Sequence, residues 1–291
     1  MSAPRILAAP PLLMLAWMGC TLGEHATEPT VIARIGEAKM EVVFLAGGTA
    51  AFPHSAHCYA VIDTQSRQAV VIDAGPKIAR AMRDYLDRRK VTVRYICITH
   101  AHTDHLAGLG DLLVGTAPRI VTHRVEALRF PPQWRPRSAT SHGEGLPEET
   151  FLFLTDRQTL ECGHFTIRAL LTPGHTIGSL CYELLDADIV FVGDTIFRGS
   201  IGRTDLPDSA GAFCLRAYIQ VQLLSLPETV QLLPGHGGPT TVGHELRYNP
   251  FFRRAALAAQ EHRFASNPAC REESYEDALE RSAKPQCKGT S

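Results

Sequence analysis

From Thr30 onward, the chain alternates between short apolar runs and polar or glycine-bearing turns. The apolar runs are rich in valine and isoleucine, which pack well on a pleated, half-buried surface, so we interpret them as β-strands. The predicted strands are MEVVFLA, CYAVID, AVVIDAG, VRYICITH, RIVTH, FTIRALLTPGH, DIVFVGD and VQLLPGH. The early part of the chain therefore consists mostly of consecutive strands.

Helical patterns lie between some of these strands. Residues 77–89 carry apolar side chains on one helical face and charges on the opposite face. Further helices are predicted over residues 106–113, 212–226 and 251–264. Strands and amphipathic helices in this mixture predict an α/β fold in which helices cover sheets in layers.

The two ends of the chain differ from the middle. Residues 1–29 form an apolar leader, residues 30–265 the folded domain, and residues 266–291 a polar tail without apolar periodicity. The leader is too short and proline-broken for a membrane span, so it predicts a targeting segment. The Gly19-Cys20 pair resembles the end of a lipoprotein processing site, which keeps a lipid-anchored form open. A Pro/Gly/Ser-rich loop over residues 131–150 is predicted to be functional or mobile.

Composition excludes several classes of protein. The 291 residues are 45% hydrophobic and 20% charged with a net charge of −1, which is ordinary for a soluble enzyme. No long basic run is present, so we expect no nucleic-acid partner. The 8 cysteines show no Cys-x-x-Cys spacing, which argues against a zinc ribbon or a thioredoxin-like site. We expect no structural disulfide in a chain of this length, and buried thiols at Cys97 and Cys181.

The richest chemistry follows the strand that ends in YICIT. Residues 99–105 read THAHTDH and place three imidazoles and a carboxylate within six residues. Buried together without a cation, such groups would be desolvated and would repel when protonated. Zinc and related metals prefer this mixture of nitrogen and oxygen ligands. The motif therefore predicts that His100 and His102 face one ion, while Asp104 and His105 face a neighbouring ion.

Three further segments have the same form. His175 lies in LTPGHT, Asp194 in VGD and His236 in PGHG, and each follows a predicted strand. In layered α/β folds, functional residues collect on loops at one edge of a sheet, and glycines let the backbone turn sharply there. We therefore expect these three residues to join the first histidine cluster.

The succession His-x-His-x-Asp-His, Pro-Gly-His-Thr, Gly-Asp and Pro-Gly-His resembles the metallo-β-lactamase superfamily over about residues 30–254. The resemblance implies an αββα sandwich and a catalytic domain with two divalent metal ions at one edge of the sheets. Zinc is expected, with iron or manganese as alternatives. The implied ligands are His100, His102 and His175 for the first ion, Asp104, His105 and His236 for the second, and Asp194 as the bridge.

Two roles beyond ligation follow from the same resemblance. Asp104 and Asp194 are expected to act in catalysis as well as in metal binding. Asp73, in VIDAG, matches the family's strand-end aspartate and is expected to orient a ligand histidine, although a plain turn residue is an equal alternative.

Two stretches narrow the branch of the family. FRGSIGRTDLP, at residues 197–207, resembles the loop after the bridging aspartate in glyoxalase II-like hydrolases and in persulfide dioxygenases. LPGHGGPTTVGHELRYNPFF, at residues 233–252, resembles the end of the compact, bacterial-type glyoxalase II-like group. The resemblance implies a small-molecule partner, a glutathione thioester such as S-lactoylglutathione, hydrolysed by a hydroxide held between two metal ions. Arg203 is a candidate for a substrate carboxylate, but a salt bridge to Asp205 is the favoured interpretation.

The sequence is also compatible with other functions. A persulfide dioxygenase of the same family would bind one iron through His100, His175 and Asp194, all of which are present. A β-lactamase, a nuclease and a non-catalytic binding protein are further alternatives. Glutathione chemistry favours the cytoplasm or an organelle matrix, whereas the leader leaves an exported or lipid-anchored protein as the alternative.

The remaining histidines carry weaker expectations. His54 and His57 are expected to be solvated loop residues rather than lining of a pocket entrance. No role is assigned to His123, His142, His164, His244 and His262.

Overall fold

The computed structural model describes residues 27–37, 39–115, 117–140, 143–185, 187–252 and Cys270. The predictions for most of the leader, for the helix over residues 251–264 beyond its first two positions, and for the tail apart from Cys270 lie outside these residues. Across the described ranges, every helix is too short or too polar to span a bilayer.

The first sheet has seven strands, which neighbour one another in chain order. Its strands are β1 (Thr30–Ile35), β2 (Met40–Leu45), β3 (Cys58–Asp63), β4 (Gln68–Ile72), β5 (Thr92–Cys97), β6 (Arg119–Thr122) and β7 (Phe151–Phe153). Strands β1 to β4 pair antiparallel, whereas β4 to β7 pair parallel. Parallel strands run in the same direction, so the carboxyl ends of β4, β5 and β6 lie at one edge of the sheet.

The second sheet has six strands in the order β15-β14-β11-β10-β9-β8. Its strands are β8 (Thr159–Cys162), β9 (Phe165–Leu171), β10 (Leu180–Leu184), β11 (Ile189–Gly193), β14 (Gln231–Pro234) and β15 (Thr240–Thr241). Strand β10 runs antiparallel to both β9 and β11, and β11 is parallel to β14. Strands β9, β11 and β14 therefore also end at a common edge. The short strands β12 (Ile196–Phe197) and β13 (Ser200–Ile201) form a separate hairpin.

Six α-helices connect or cover the sheets in the described ranges. They are α1 (Ile78–Arg88), α2 (Thr103–Leu106), α3 (Leu109–Leu113), α4 (Arg124–Ala127), α5 (Ala212–Tyr218) and α6 (Val242–Tyr248). The helix predicted over residues 77–89 is confirmed as α1. The one predicted over 106–113 divides into α2 and α3, and the one over 212–226 is α5 followed by a π-helical turn at Ile219–Leu223.

Some elements escaped the sequence patterns. Strand β7 has three residues, too few for a clear alternation of apolar and polar positions, and strand β10 was missed as well. Helix α6 is short and begins within an almost uninterrupted polar stretch, so its apolar face carries little signal. The loop over residues 131–150 contains three 3-10 turns, and Trp134 packs on Gly110 of α3.

Apolar side chains arrange these elements in four layers. Inner faces of both sheets share one core, in which Tyr59 of β3 contacts Phe191 of β11. Met82 and Leu86 of α1 are fully buried in a second core on the outer face of the first sheet. Each contributes about 2 kcal/mol of hydrophobic stabilisation. Leu215 of α5 belongs to a third core on the outer face of the second sheet. The predicted αββα layering is confirmed.

The expectation of no structural disulfide is wrong. Cys214 of α5 is bonded to Cys270, 56 positions later in the chain, and Cys270 is buried. The Tyr218 hydroxyl donates to the Cys270 carbonyl at 2.6 Å. Closely spaced cysteines can be recognised in a sequence as a metal site. Two cysteines 56 positions apart are brought together only by the tertiary fold, so the sequence does not reveal their pairing. Cys97 and Cys181 are buried free thiols, as predicted.

Candidate metal centre

The seven sequence-predicted ligands converge at one edge of the sandwich. They lie on four segments, one that follows β5 in the first sheet and includes the start of α2, and three that follow β9, β11 and β14 in the second. The residues are His100, His102, Asp104, His105, His175, Asp194 and His236. Two sheets facing each other thus bring together side chains that are up to 136 positions apart in sequence.

The first ligand group consists of three imidazoles. The Nδ1 atom of His102 lies 3.0 Å from Nε2 of His100 and 3.0 Å from Nε2 of His175. His100 and His175 are buried. Burial is the main reason that the pKa of both these histidines is lowered. Their rings are therefore neutral at physiological pH, which is the form that binds a metal ion.

The second ligand group contains a carboxylate. His236 Nε2 lies 2.9 Å from Asp104 Oδ2, and His105 Nε2 lies 3.6 Å from the same oxygen. Burial by itself would raise the pKa of Asp104, but the hydrogen bond from His236 and the charge of His105 lower it to about 2. Asp104 is therefore ionised at neutral pH and available as an oxygen ligand.

Asp194 stands between the two groups. Its carboxylate lies 3.3 Å from His105 Nε2, 3.7 Å from His236 Nε2 and 3.8 Å from His175 Nε2. It thus reaches donor atoms of both groups, as a bridging ligand must.

Two buried atoms of this centre lack a partner other than each other. His105 Nε2 and Asp194 Oδ1 are inaccessible to solvent and lie 3.3 Å apart, and neither has a further hydrogen-bond partner within the described part of the chain. Although burial opposes it, the charges of Asp73 and Asp194 raise the pKa of His105 well above its usual value. This environment attracts a cation, either a proton or a metal ion. The unpartnered donors fit a divalent metal.

Glycine keeps the space around these atoms open. A Cβ atom at Gly235 would lie 2.5 Å from His105 Cε1 and 2.6 Å from Asp194 Oδ1. Any side chain at this position would collide with the donor atoms that are left unpartnered. The Pro-Gly-His segment after β14 therefore needs its glycine for access as well as for the turn.

Asp73 lies directly behind His105. Its carboxylate is buried, accepts hydrogen bonds from the Thr99 backbone and hydroxyl, and lies 2.7 Å from His105 Nδ1. The Asp73 backbone has a φ of 60°, which is uncommon for a residue with a side chain. A hydrogen on Nδ1 leaves the lone pair of Nε2 facing Asp194, so Asp73 orients the ring toward the centre.

Two buried carboxylates near the first group were missed by the sequence reasoning. Glu126 of α4 accepts from the Ala101 amide at 2.7 Å and from the Gly178 amide at 2.8 Å. It thereby joins the loop that carries His100 to the loop that carries His175. Asp208 lies 3.2 Å from His102 Nε2. Neither residue stands in a motif with metal-ligand spacing, so only the fold reveals these contacts.

Arg203 does not point its charge at the centre. Its guanidinium forms two hydrogen bonds to Asp205, at 2.8 and 2.9 Å, and both side chains are largely exposed. This is the salt bridge favoured from the sequence. The Arg203 carbonyl, by contrast, lies 2.9 Å from His175 Nδ1 and helps to orient that ring.

The expectation for His57 is wrong, because this histidine is buried rather than solvated. Its Nδ1 accepts from the Gly47 amide at 2.9 Å, and its Nε2 lies 2.8 Å from the Gly237 carbonyl. Burial lowers the pKa of His57 to about 4, so the ring is neutral and ties the Gly47 turn to the loop after His236. His54 is exposed, as predicted.

Three of the unassigned histidines, His123, His164 and His244, make contacts outside the ligand groups. His164 Nδ1 is 2.6 Å from Asp63, and the His244 ring packs on Tyr248. His123 caps α4 by accepting from the Val125 amide. His142 and His262 lie outside the described residues.

Comparison with known proteins identifies the family. The family model of the metallo-beta-lactamase superfamily matches residues 51–246. The chain belongs to this superfamily of metallo-hydrolases.

Two curated relatives have similar sequences. A probable metallo-hydrolase of Bacillus subtilis is 31% identical over 212 residues, which cover 70% of this chain and 96% of the relative. The hydroxyacylglutathione hydrolase GloC of Haemophilus influenzae is 30% identical over 208 residues, which cover 67% of this chain and 92% of the relative.

Solved structures show the same fold. The B3 metallo-beta-lactamase BLEG-1 is 31% identical with a TM-score of 0.59, covering 69% of this chain and 95% of its own. TTHA1623, solved in a di-iron-bound form, is 28% identical with a TM-score of 0.55, covering 68% of this chain and 96% of its own. Superfamily members with such ligand groups bind divalent metals, often two.

Proposed function

We propose that this protein is a binuclear metallohydrolase that cleaves a glutathione thioester of the S-lactoylglutathione type. The observation that carries the proposal is the pair of complete ligand groups joined by Asp194. The likeness to a hydroxyacylglutathione hydrolase over two thirds of the chain supports the choice of substrate. The glyoxalase II-like stretch at residues 233–252 supports it further.

The chain's own residues would divide the work as follows. His100, His102 and His175 would hold one ion, Asp104, His105 and His236 a second, and Asp194 both. Bound there, two divalent ions supply a nucleophile from water at neutral pH and stabilise negative charge on the thioester oxygen. Zinc is our first expectation, with iron or manganese as alternatives.

The residues around the ligands would keep these donors ready. Asp73 leaves the lone pair of His105 Nε2 free, and the Arg203 carbonyl does the same for His175 Nε2 by accepting from Nδ1. The leaving group is a thiolate whose conjugate acid has a pKa of about 8.5, so it needs little help from a general acid. Thioester cleavage therefore suits a centre in which the carboxylates Asp104 and Asp194 serve as ligands.

The test combines metal content with activity on one sample. Protein purified without added metal should contain about two metal ions per chain and hydrolyse S-lactoylglutathione. His236→Gln should lose one ion and most of the activity, whereas His164→Gln, which alters a histidine remote from the centre, should keep both. A wild-type protein that holds two metal ions but leaves the thioester intact would contradict the substrate proposal.

A persulfide dioxygenase is the main alternative, since His100, His175 and Asp194 are present here too. The likeness to a hydroxyacylglutathione hydrolase favours the thioester hydrolase. About one iron per chain, with sulfite formed from glutathione persulfide and no thioester cleavage, would select the dioxygenase. A β-lactam hydrolysis assay on the same sample covers the third alternative.

The disulfide bears on where the protein works. Disulfides persist in oxidising compartments and are rare in the cytosol, so the Cys214–Cys270 bond supports the exported alternative over the cytoplasmic one. From this disulfide and the apolar leader we infer that the protein is exported, which requires its glutathione thioester substrate to be present outside the cytoplasm as well. Thiol labelling of protein taken directly from cells under acidic quench should find Cys214 protected. Full labelling of Cys214 would contradict export and assign the protein to a reducing compartment.

A further inference from the structure

His102 differs from the other two histidines of the first group in the atom that it presents. His100 and His175 point Nε2 into the group, whereas His102 points Nδ1. The His102 side chain is also 24% exposed, against 3% for His175. Packing therefore constrains the orientation of the His102 ring less, so a hydrogen-bond partner at its other nitrogen has a larger influence on how the ring is held.

Asp208 supplies that contact. Its Oδ2 atom lies 3.2 Å from His102 Nε2 and 2.9 Å from Arg129 Nη2. The Asp208 carboxylate is nearly buried, and the Asp208 carbonyl accepts from the Ile177 amide at 3.0 Å. Asp208 is thus fixed by Arg129 and by the loop that carries His175, and it presents an acceptor to His102.

We propose that Asp208 is a positioning residue that holds His102 in the tautomer with hydrogen on Nε2 and the lone pair of Nδ1 directed at the first metal ion. This inference rests on the metal centre of the proposed function. A neutral imidazole carries one hydrogen, and the nitrogen that donates it to a partner cannot bind a metal. A carboxylate acceptor at Nε2 therefore reserves Nδ1 for the ion and increases its basicity.

Arg129 is the support of this arrangement. The guanidinium balances the charge that Asp208 would otherwise bring next to the metal centre, and it holds the carboxylate in place. Arg129 is 35% exposed, so water can solvate it when its partner is removed. Loss of the Asp208 carboxylate should therefore leave the fold intact.

The effect should be confined to one of the two ions. Among the described hydrogen bonds, the Asp208 side chain contacts His102 of the first group and no member of the second. A general loosening of the fold would lower the affinity for both metal ions. Loss of the hydrogen bond that selects the His102 tautomer would lower the affinity for the first ion only.

The experiment is a Zn²⁺ titration of metal-free protein in competition with a chromophoric chelator. It compares the wild type with Asp208→Ala, Asp208→Asn and Arg129→Gln. The matched control is Asp205→Asn, which removes a charge from the same loop at an exposed position. Asp208→Ala should lower one of the two zinc affinities by about 10- to 100-fold, the range found when an outer hydrogen-bond partner of a ligand histidine is lost.

The other variants sharpen the result. Asp208→Asn should show a smaller loss, because its amide oxygen still accepts from Nε2, and Arg129→Gln should weaken the same site several-fold. Asp205→Asn should match the wild type. Long-range ¹H–¹⁵N spectra of the zinc-loaded wild type should show one histidine bound through Nδ1 while its Nε2 carries hydrogen. Thermal unfolding of the metal-free proteins checks that each variant folds.

Three outcomes would overturn the inference. Equal zinc affinities in Asp208→Ala and the wild type would remove any role in positioning. A parallel loss at both sites would make Asp208 a structural residue only. A wild type that binds no zinc, iron or manganese would refute the proposed function as well, so the two failures are distinguishable.

Discussion

The two ligand groups, which lie side by side, are built differently. The first offers three imidazole nitrogens, and His100 and His175 are almost inaccessible. The second includes the Asp104 carboxylate, and the side chains of Asp104 and His236 are 35% and 39% exposed. Only His105 of the second group is fully buried. We conclude that the first group is the more enclosed of the two, with only the His102 ring partly exposed, whereas the second faces solvent.

The difference has chemical consequences. An ion in the second group gains a charged ligand but also contacts water, so it should exchange faster than an ion in the first group. The thioester substrate would approach from the solvent side, and therefore past His236. Single substitutions can therefore be chosen that affect both ligand groups, only one of them, or neither, with effects that range from a large loss of metal affinity to none.

Asp194→Asn should remove the shared ligand and affect both groups. Zinc binding of about 10–16 kcal/mol is divided among some four ligands, so one ligand is worth about 3 kcal/mol, or two orders of magnitude in affinity. We expect both zinc affinities to fall by about 100-fold and thioester hydrolysis to become undetectable. Chelator competition and an activity assay check this. A lower affinity for only one of the two zinc ions would show that Asp194 does not bridge them.

Asp73→Asn should affect the second group. The neutral amide still accepts from Thr99, but it no longer provides the charge that orients His105. We expect the affinity for one zinc ion to fall by about 10- to 100-fold while the other is unchanged. The matched control is Asp63→Asn, another buried strand-end aspartate at the opposite edge of the same sheet. An equal effect of both variants would contradict the role of Asp73.

Glu126→Gln should affect the first group through the backbone. A glutamine side chain offers one oxygen acceptor where Glu126 offers two, so the hydrogen bond from either Ala101 or Gly178 is lost. We expect a zinc affinity about 10-fold lower at the first group and a lower kcat, with little change in KM. Steady-state kinetics beside the zinc titration would measure this. A change in KM alone would assign Glu126 to the substrate instead.

Asp63 should affect the stability of the fold and neither ligand group. Burial opposes its charge, but hydrogen bonds from Ser66 and His164 lower its pKa from 3.8 to about 2. The difference is worth about 2 kcal/mol of stability. That contribution is present above pH 3.8 and is lost as the pH falls through about 2. Urea unfolding should therefore separate wild type from Asp63→Asn at pH 7 and bring them together near pH 2, with zinc affinities equal at pH 7.

Much of the fold was predictable because its strands and helices carry strong periodic patterns. Strand β5 and helix α1 show clear apolar faces, and the first cluster of ligands comes just after β5 in sequence. Strand β7 and helix α6 were missed, because short elements contain too few positions to establish a period. His57 was misjudged since nothing local distinguishes a solvated loop histidine from one that accepts a hydrogen bond from a distant turn.

The sequence by itself determined the four-layer architecture, the family and the identity of the seven converging residues, because these depend on local patterns and on motif spacing. The tertiary structure decided the rest. It placed Glu126 between two ligand loops, set Asp208 against His102 and joined Cys214 to Cys270. These contacts link residues whose partners are selected by packing of the two sheets, and a hydrogen bond or disulfide between distant segments leaves no periodic trace in the chain.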